Sequence, residues 1–232
     1  MRANRKWDEL RPIHIQRAFL NNATLVSYGN TKVLCSASFE TTVPRFLRDQ
    51  GTGWLSAEYA MLPSATQPRG RRESKSGKQT GRTQEIQRLI GRSLRAALNL
   101  EALGERSIII DADVIQADGG TRTAAITGGM VALYDLIRAN KSLFTTDPIR
   151  HWIGAVSIGL HQTKLLLDLQ YDEDVIADVD MTVVMTESGS FIELQGTAEH
   201  YPFSRTQLDK LLETASSGIQ DIIQTARAGV QA

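Results

Sequence analysis

Residues 107–125 read SIIIDADVIQADGGTRTAA, and this stretch combines a strand pattern, a turn and the start of a helix. β-Branched and apolar residues over 107–115 predict a strand. The two glycines that follow allow a tight turn, and residues 121–139, rich in Ala and Gly at their start, predict a helix pressed closely against a sheet. A strand, a turn and a packed helix in succession indicate a mixed α/β chain.

Patterns on both sides of this stretch predict further strands and helices. Strands are predicted over 31–39, 54–61, 152–160, 164–169, 178–186 and 191–195, and helices over 83–100 and 204–226. The last helix opens with Ser204 and Gln207, a capping-box spacing. Strands and helices interleave without strict alternation, so a doubly wound nucleotide-binding fold is not indicated.

Composition is that of a globular chain with one sizeable core. Of 232 residues 41% are hydrophobic and 22% are charged, and we expect a single domain over residues 1–232. Cys35 is the only cysteine and sits in an apolar run, which excludes an intramolecular disulfide and indicates a buried strand residue. We expect a cytoplasmic protein, with neither a signal peptide nor a membrane partner.

The charges are balanced overall but unevenly distributed along the chain. Lys+Arg and Asp+Glu both number 26, yet residues 69–95 hold nine basic residues against two acids. Residues 168–187 hold seven acids and no basic residue. A basic zone can bind a phosphate backbone and an acidic zone can hold a divalent metal, although both could be simply solvated faces.

Residues 67–81 predict a mobile basic loop. The segment has almost no apolar residue, and therefore little to offset the entropy lost on ordering. It could be a linker between domains, but a flexible clamp for RNA explains its charge better. Its candidate RNA-binding residues are Arg69, Arg71, Arg72 and Lys75.

The turn between the strand and the helix is a candidate oxyanion site. Gly119 and Gly120 allow close backbone approach, and the helix start at Thr121 offers unpaired N–H groups beside Arg122 and Thr123. Plain turn chemistry remains the alternative, and neither the P-loop lysine pattern nor GxGxxG is present. Arg82, at the start of another predicted helix, is a second candidate anion ligand.

Three aspartates form a candidate metal site. Asp174, Asp178 and Asp180 have even spacings, so on one extended strand their carboxylates would share a face. Such a cluster suits Mg²⁺, although a polar turn entering a strand is the alternative. The four histidines show no metal-ligand spacing and receive no role.

In combination, seven stretches resemble the ribonuclease PH family across nearly the whole chain. They are 10–13 (LRPI), 31–35 (TKVLC), 43–47 (VPRFL), 53–63 (GW with AEYAMLP), 81–92 (GRT with EIQRLIGR), 116–124 (QADGGTRTA) and 193–199 (ELQGTAE). The resemblance implies a two-layer mixed-sheet α/β fold like the second domain of ribosomal protein S5. It also implies a homo-hexameric ring, a trimer of dimers, that carries out phosphorolysis of RNA.

Residue by residue, the resemblance implies phosphate ligands and a catalytic pair. The phosphate-binding positions are Arg82, Gly120, Thr121, Arg122 and Thr123. Asp174 and Asp180 match an acidic pair that supports both the metal, Mg²⁺ or Mn²⁺, and the chemistry. Ala112 stands where many members have cysteine, and Thr182 where asparagine is common; we expect both departures to affect packing only.

The implied activity is phosphate-dependent 3′-5′ trimming. Inorganic phosphate would be the co-substrate, nucleotides after the 3′-CCA end of tRNA precursors would leave as nucleoside diphosphates, and the reaction would be reversible. Other RNA 3′ ends, including those of ribosomal RNA, are further candidate substrates. A hydrolytic metal-dependent nuclease and a non-catalytic RNA-binding ring subunit remain alternatives.

Overall fold

The computed structural model describes residues 2, 5–20 and 23–231, and these form nine strands and six α-helices. The strands are β1 (Ile13–Leu20), β2 (Ala23–Tyr28), β3 (Thr31–Glu40), β4 (Trp54–Met61), β5 (Ser107–Gln116), β6 (Ile153–His161), β7 (Lys164–Leu167), β8 (Val179–Thr186) and β9 (Phe191–Ala198). The helices are α1 (Glu73–Ser76), α2 (Gly81–Ala96), α3 (Leu100–Leu103), α4 (Thr121–Ala139), α5 (Tyr171–Ile176) and α6 (Arg205–Gln231).

The strands divide into two sheets. The first has the order β1-β2-β3-β5-β4. Strands β4 and β5 are parallel, and the other neighbouring pairs in this sheet are antiparallel. The second has the order β7-β6-β8-β9 and is antiparallel throughout. The first sheet is therefore mixed, and the predicted mixed α/β class is confirmed.

Helix α4 lies between the two sheets, packed on β2, β3 and β5 of the first sheet and on β6 of the second. A Cβ on Gly128 would lie 2.7 Å from Cys35 Sγ, so α4 approaches β3 this closely only because residue 128 has no side chain. The predicted close packing of the helix on a sheet is confirmed. Helix α2 packs on β4 and α4, and α6 packs on β6 and β1.

One buried apolar cluster includes residues of both sheets, among them Ile110 of the first and Val183 of the second. Cys35 belongs to this cluster and is fully buried. Burial raises the pKa of its thiol far above the usual value, and the prediction of a buried strand cysteine is confirmed.

Several element boundaries differ from the predicted ones for local reasons. Helix α2 begins at Gly81 because the Thr80 side chain accepts the Thr83 N–H at 3.2 Å. It ends at Ala96, before the predicted Leu100, because Leu98 pairs with Ile149 in an isolated bridge. Strand β7 stops at Leu167, before the predicted residue 169, because Asp168 adopts a left-handed φ of 55°.

The capping box of the last helix is confirmed. Ser204 Oγ accepts the Gln207 N–H at 3.2 Å, and Gln207 Oε1 accepts the Ser204 N–H at 2.8 Å. Helix α6 continues to Gln231, five residues beyond the predicted end at 226. Across the described residues, neither α6 nor any other helix has the length and apolar character that crossing a membrane requires.

Most of the predicted loop, residues 67–81, is exposed, and it contains the short helix α1. Its end is tied to α2 through Glu73, whose Oε1 accepts the Thr83 hydroxyl at 2.8 Å and the Thr80 N–H at 3.3 Å. The loop therefore delivers the chain to the start of α2, where Arg82 lies. Its mobility stays a prediction.

Candidate active site

The double-glycine turn leads from β5 into the N-terminus of α4 and requires both glycines. Gly119 and Gly120 have φ values of +73° and +66°, a region that favours glycine. A Cβ on Gly119 would lie 2.5 Å from Leu169 O, and one on Gly120 2.9 Å from Arg11 Nη2. Alanine at either position would therefore clash as well as strain the backbone.

The turn and the first turn of α4 present unused N–H groups. Among the described residues, the backbone N–H groups of residues 119–123 have no protein acceptor, and the first helical bond begins at Ala124. The positive end of the helix dipole adds to their attraction for an anion. Thr121 lines the adjacent cavity, and its hydroxyl lies 2.9 Å from the Tyr59 hydroxyl.

Thr123 differs from the other predicted phosphate ligands. Its side chain is fully buried, its hydroxyl donates to Gly120 O at 2.9 Å, and it does not line the cavity. The hydroxyl thus stabilises the turn from within. Only the backbone N–H of Thr123 remains for an anion.

Two arginines reach the same cavity from the starts of two helices. Arg82 is the second residue of α2 and Arg122 the second residue of α4, and both line the cavity. Arg122 Nη1 donates to Gln195 Oε1 at 3.1 Å and lies 3.7 Å from Glu85 Oε1. These contacts hold its guanidinium in place, whereas the Arg82 side chain is exposed and forms no hydrogen bond within the described part of the chain.

The two predicted carboxylates come together, but not in the way that the spacing suggests. Asp174 lies on α5 and Asp180 on β8, so the idea of three aspartates on one strand is wrong. Both residues line the cavity, because the chain turns between the helix and the strand. Asp178 does not line it and instead accepts the Gln162 N–H at 2.5 Å in the β6-β7 hairpin.

The cavity raises the pKa of both carboxyl groups. Burial, followed by the charge of Asp174, raises the pKa of Asp180 to about 6, against the opposing effect of Arg122. Burial also raises the pKa of Asp174, although its side chain remains reachable from solvent, and Arg82 and Arg122 oppose that change. A carboxyl group whose ionisation is disfavoured by burial and by a neighbouring carboxylate is a suitable place for a divalent cation.

The ligand chemistry fits Mg²⁺ or Mn²⁺. The described residues contain no cluster of three or more His, Cys, Asp or Glu side chains that could hold a metal ion. Mg²⁺ is commonly bound by one or two carboxylates together with water and substrate phosphate, so two adjacent aspartates beside an anion site meet its needs.

The cavity has a volume of about 510 Å³ and includes residues that the sequence patterns did not single out. Its apolar and aromatic wall is made by Met61, Pro68, Leu169 and Tyr171, and its added polar residues include Ser157 and Thr182. Thr182 is thus a cavity residue as well as a packed one, contrary to expectation, whereas Ala112 is buried in the core.

Residues predicted to bind RNA lie beside the cavity. Gln67 and Pro68 line its rim, and Arg69, Arg71, Arg72 and Lys75 follow them without lining it. Arg69, Arg71, Arg72 and Lys75 are exposed.

A buried ion pair behind the turn was missed by the sequence patterns. Arg11 and Asp168 have side-chain exposures of 5% and 0%, and Arg11 Nη2 donates to Asp168 Oδ1 at 2.6 Å. The available signal was a charged Arg11 between the apolar residues Leu10 and Pro12, but nothing in the sequence indicates a partner 157 residues away.

The site combines an anion-binding turn, two arginines and two carboxylates in one cavity. That set of groups is suited to binding an anion beside a divalent cation, and it occurs here on a fold with two sheets around a central helix.

Comparisons with known proteins agree with this description. The model of the 3′ exoribonuclease family matches residues 9–138 with its domain 1 and residues 151–218 with its domain 2. Ribonuclease PH of Corynebacterium efficiens is 54% identical over 231 residues, covering 97% of this chain and 94% of that protein.

Solved structures show the same fold at low sequence identity. The Archaeoglobus fulgidus exosome with RNA bound to the active site has a TM-score of 0.79 at 18% identity, over 95% of this chain and 90% of that one. Rice Rrp46 has a TM-score of 0.79 at 17% identity, over 99% of each chain.

The chain belongs to the ribonuclease PH family of 3′ exoribonucleases. The activity that this membership supports is phosphorolytic 3′-5′ removal of nucleotides from RNA, the reaction of a nucleotidyltransferase. The predictions of family, fold type and enzyme class are confirmed, and the two alternative functions are not favoured.

Proposed function

We propose that the cavity between the α4 N-terminus and β8 is the phosphorolytic active site. The observation that supports it is that one cavity is lined by the Gly119-Gly120 turn, by Arg82 and Arg122, and by the two aspartates. The arginines and the turn N–H groups bind inorganic phosphate in line with the last phosphodiester of the RNA.

The reaction exchanges one phosphorus–oxygen bond for another. An oxygen of inorganic phosphate attacks the phosphorus of the last phosphodiester, and the bond to the 3′ oxygen of the preceding nucleotide breaks. The leaving oxygen takes a proton from hydrogen phosphate or water, and the released product is a nucleoside 5′-diphosphate. Phosphate is already anionic at neutral pH, so positioning matters more than a general base.

Asp174 and Asp180 are the proposed holders of Mg²⁺ or Mn²⁺. When bound, the ion neutralises negative charge that develops around the reacting phosphorus and the leaving oxygen. Arg82 and Arg122 line the same cavity as the carboxylates, and their charges oppose the rise in the pKa of Asp174. A phosphate group bound there would have both the arginines and the metal ion as cationic partners.

The proposed RNA partners are tRNA precursors and other RNA 3′ ends. Arg69, Arg71, Arg72 and Lys75 would contact the phosphate backbone of the tRNA body as a mobile loop at the cavity rim. We also propose a single domain that assembles as a homo-hexamer, a trimer of dimers, in the cytoplasm. One core cluster shared by both sheets supports the single domain, and a lone buried cysteine is compatible with a reducing compartment.

Reversibility offers a direct test of the proposed active site. Incubation of a short RNA with nucleoside diphosphates and Mg²⁺, without phosphate, should lengthen the RNA and release phosphate, because the bonds exchanged are similar in energy. Arg122→Ala should abolish lengthening. Lengthening by the variant at the wild-type rate would contradict the proposed site.

A further inference from the structure

The buried pair Arg11–Asp168 joins the anion turn to the rest of the site. Three donors of Arg11 reach the Asp168 carboxylate: its backbone N–H and Nε to Oδ2, both at 2.9 Å, and Nη2 to Oδ1 at 2.6 Å. Neither residue lines the cavity. The pair therefore acts on the site from behind.

The other edge of the same guanidinium contacts the turn carbonyls. Arg11 Nη1 donates to Asp118 O at 2.6 Å, and Nη1 and Nη2 lie 3.5 and 3.4 Å from Gly119 O. Thr31 holds the same turn through two further hydrogen bonds. Its hydroxyl donates to Gly119 O at 2.6 Å and accepts the Asp118 N–H at 2.9 Å.

These contacts fix the direction of the N–H groups in the turn. In a trans peptide the C=O and the following N–H point in opposite directions. Since the carbonyls of Asp118 and Gly119 face Arg11, the N–H groups of Gly119 and Gly120 point away from it. Both glycines line the cavity, and neither N–H has an acceptor among the described residues.

The pair also sets the distance between the anion turn and α5. Asp168 lies three residues before Tyr171, where α5 begins, and the would-be Cβ of Gly119 is 2.5 Å from Leu169 O. Tyr171 N–H reaches Asp118 Oδ1 at 3.4 Å. A shift of the turn would therefore move it relative to the helix that carries Asp174.

We infer that Arg11 and Asp168 are positioning residues for phosphate, which aim the Gly119 and Gly120 N–H groups into the cavity and hold the turn in register with α5; this inference rests on the proposed phosphate site. The donors of Arg11 are occupied by Asp168 and the turn carbonyls. Arg11 thus orients the phosphate-binding groups without binding phosphate.

The test compares substitutions of Arg11 and Thr31, the two residues that hold the turn, with a matched control. Arg11→Lys keeps the charge but replaces a planar fork by a single ammonium group, which cannot span both Asp168 and the turn. Thr31→Val keeps the shape of the side chain and removes the hydroxyl that bonds to the turn. Arg17→Lys makes the same exchange in a pair with Asp135, at an Nη2–Oδ1 distance of 2.8 Å, remote from the cavity.

Steady-state rates at varied phosphate and at varied RNA concentrations give kcat and the KM for each substrate. Circular dichroism checks that each variant folds. We expect Arg11→Lys to raise the KM for phosphate about tenfold and Thr31→Val about threefold, with the KM for RNA unchanged. Arg17→Lys should match the wild type. A purely structural role would lower kcat through a smaller active fraction and leave the KM for phosphate alone.

Folded Arg11→Lys and Thr31→Val proteins with the wild-type KM for phosphate would overturn the inference. If Arg11→Lys fails to fold, the result for Thr31→Val decides. Arg82→Ala distinguishes failure of the positioning role from failure of the phosphate site. If Arg82→Ala raises the KM for phosphate while Arg11→Lys and Thr31→Val do not, only the positioning role fails. If none of the three changes it, the proposed phosphate site fails as well.

Discussion

Asp180 lies close enough to Asp174 for the charge of Asp174 to disfavour ionisation of the Asp180 carboxyl group. Burial first, and the Asp174 charge second, raise the pKa of Asp180 from 3.8 to about 6. The two residues belong to a strand and a helix, and their approach is a property of the folded chain. The folded protein therefore maintains a repulsion that the unfolded chain lacks.

Burial of Asp180, together with this repulsion, predicts a pH-dependent stability difference for Asp180→Asn. A carboxyl with a raised pKa binds its proton more tightly when folded, so stability is lost as the pH rises from the unfolded pKa of 3.8 through the folded pKa of about 6, and the full loss is present above that. Below the unfolded value of 3.8 the effect is absent. In metal-free buffer the variant should melt above the wild type at about pH 8, and the difference should vanish by about pH 4. Melting curves across this range measure it, and equal melting temperatures at the higher pH would contradict it.

The carboxylate assignment predicts a sharp contrast among three aspartates. Asp174→Asn and Asp180→Asn should each lower the trimming rate by about 10² or more, because both are proposed metal ligands. Asp178→Asn is the matched control, since Asp178 lies in the same acidic segment but outside the cavity lining. Its trimming rate should stay within about threefold of wild type. Equal losses at all three positions would indicate a general charge effect.

The anion site predicts a loss of activity in arginine variants that remain folded. Arg82→Ala and Arg122→Ala should each lower the rate at limiting phosphate by about 10² to 10³, the usual effect of removing one charged transition-state ligand. Arg88→Ala is the control, because Arg88 is exposed on the same helix as Arg82 but does not line the cavity. Near-normal activity of Arg82→Ala at limiting phosphate would mean that the anion site is misplaced.

The basic loop predicts a substrate-dependent loss. Neutralising Arg69, Arg71, Arg72 and Lys75 together should weaken tRNA binding and reduce its salt dependence, because fewer counterions are released. Short oligonucleotides, which end near the cavity rim, should be less affected. Binding measured over a range of salt concentrations tests both parts, and equal losses on the two substrates would place the loop's action inside the active site.

The sequence predicted the parts of this site that are local and missed those that depend on distant contacts. The glycine turn and the arginines at two helix starts are local, because a helix N-terminus binds anions wherever it lies. The even spacing grouped Asp174, Asp178 and Asp180 on one strand wrongly, because the helix that carries Asp174 was not recognised. The pair Asp174 and Asp180 was implied by the family resemblance and not by the spacing.

Contacts between distant segments account for the rest. The Arg11–Asp168 pair joins residues 157 positions apart, and periodicity carries no information about such a partner. Strand β1 was not singled out, because its exposed residues give only a weak alternating pattern. Tyr171 and Met61 enter the cavity only because α5 and β4 come together there.

Phosphorolysis is tested most directly by the identity of the nucleotide released from a 3′-extended tRNA. With Mg²⁺ and phosphate the wild-type protein should release nucleoside 5′-diphosphates, and without phosphate it should release nothing. Chromatography of the products against mono- and diphosphate standards distinguishes the two. Nucleoside monophosphates released in phosphate-free buffer would contradict phosphorolysis and indicate a hydrolytic nuclease.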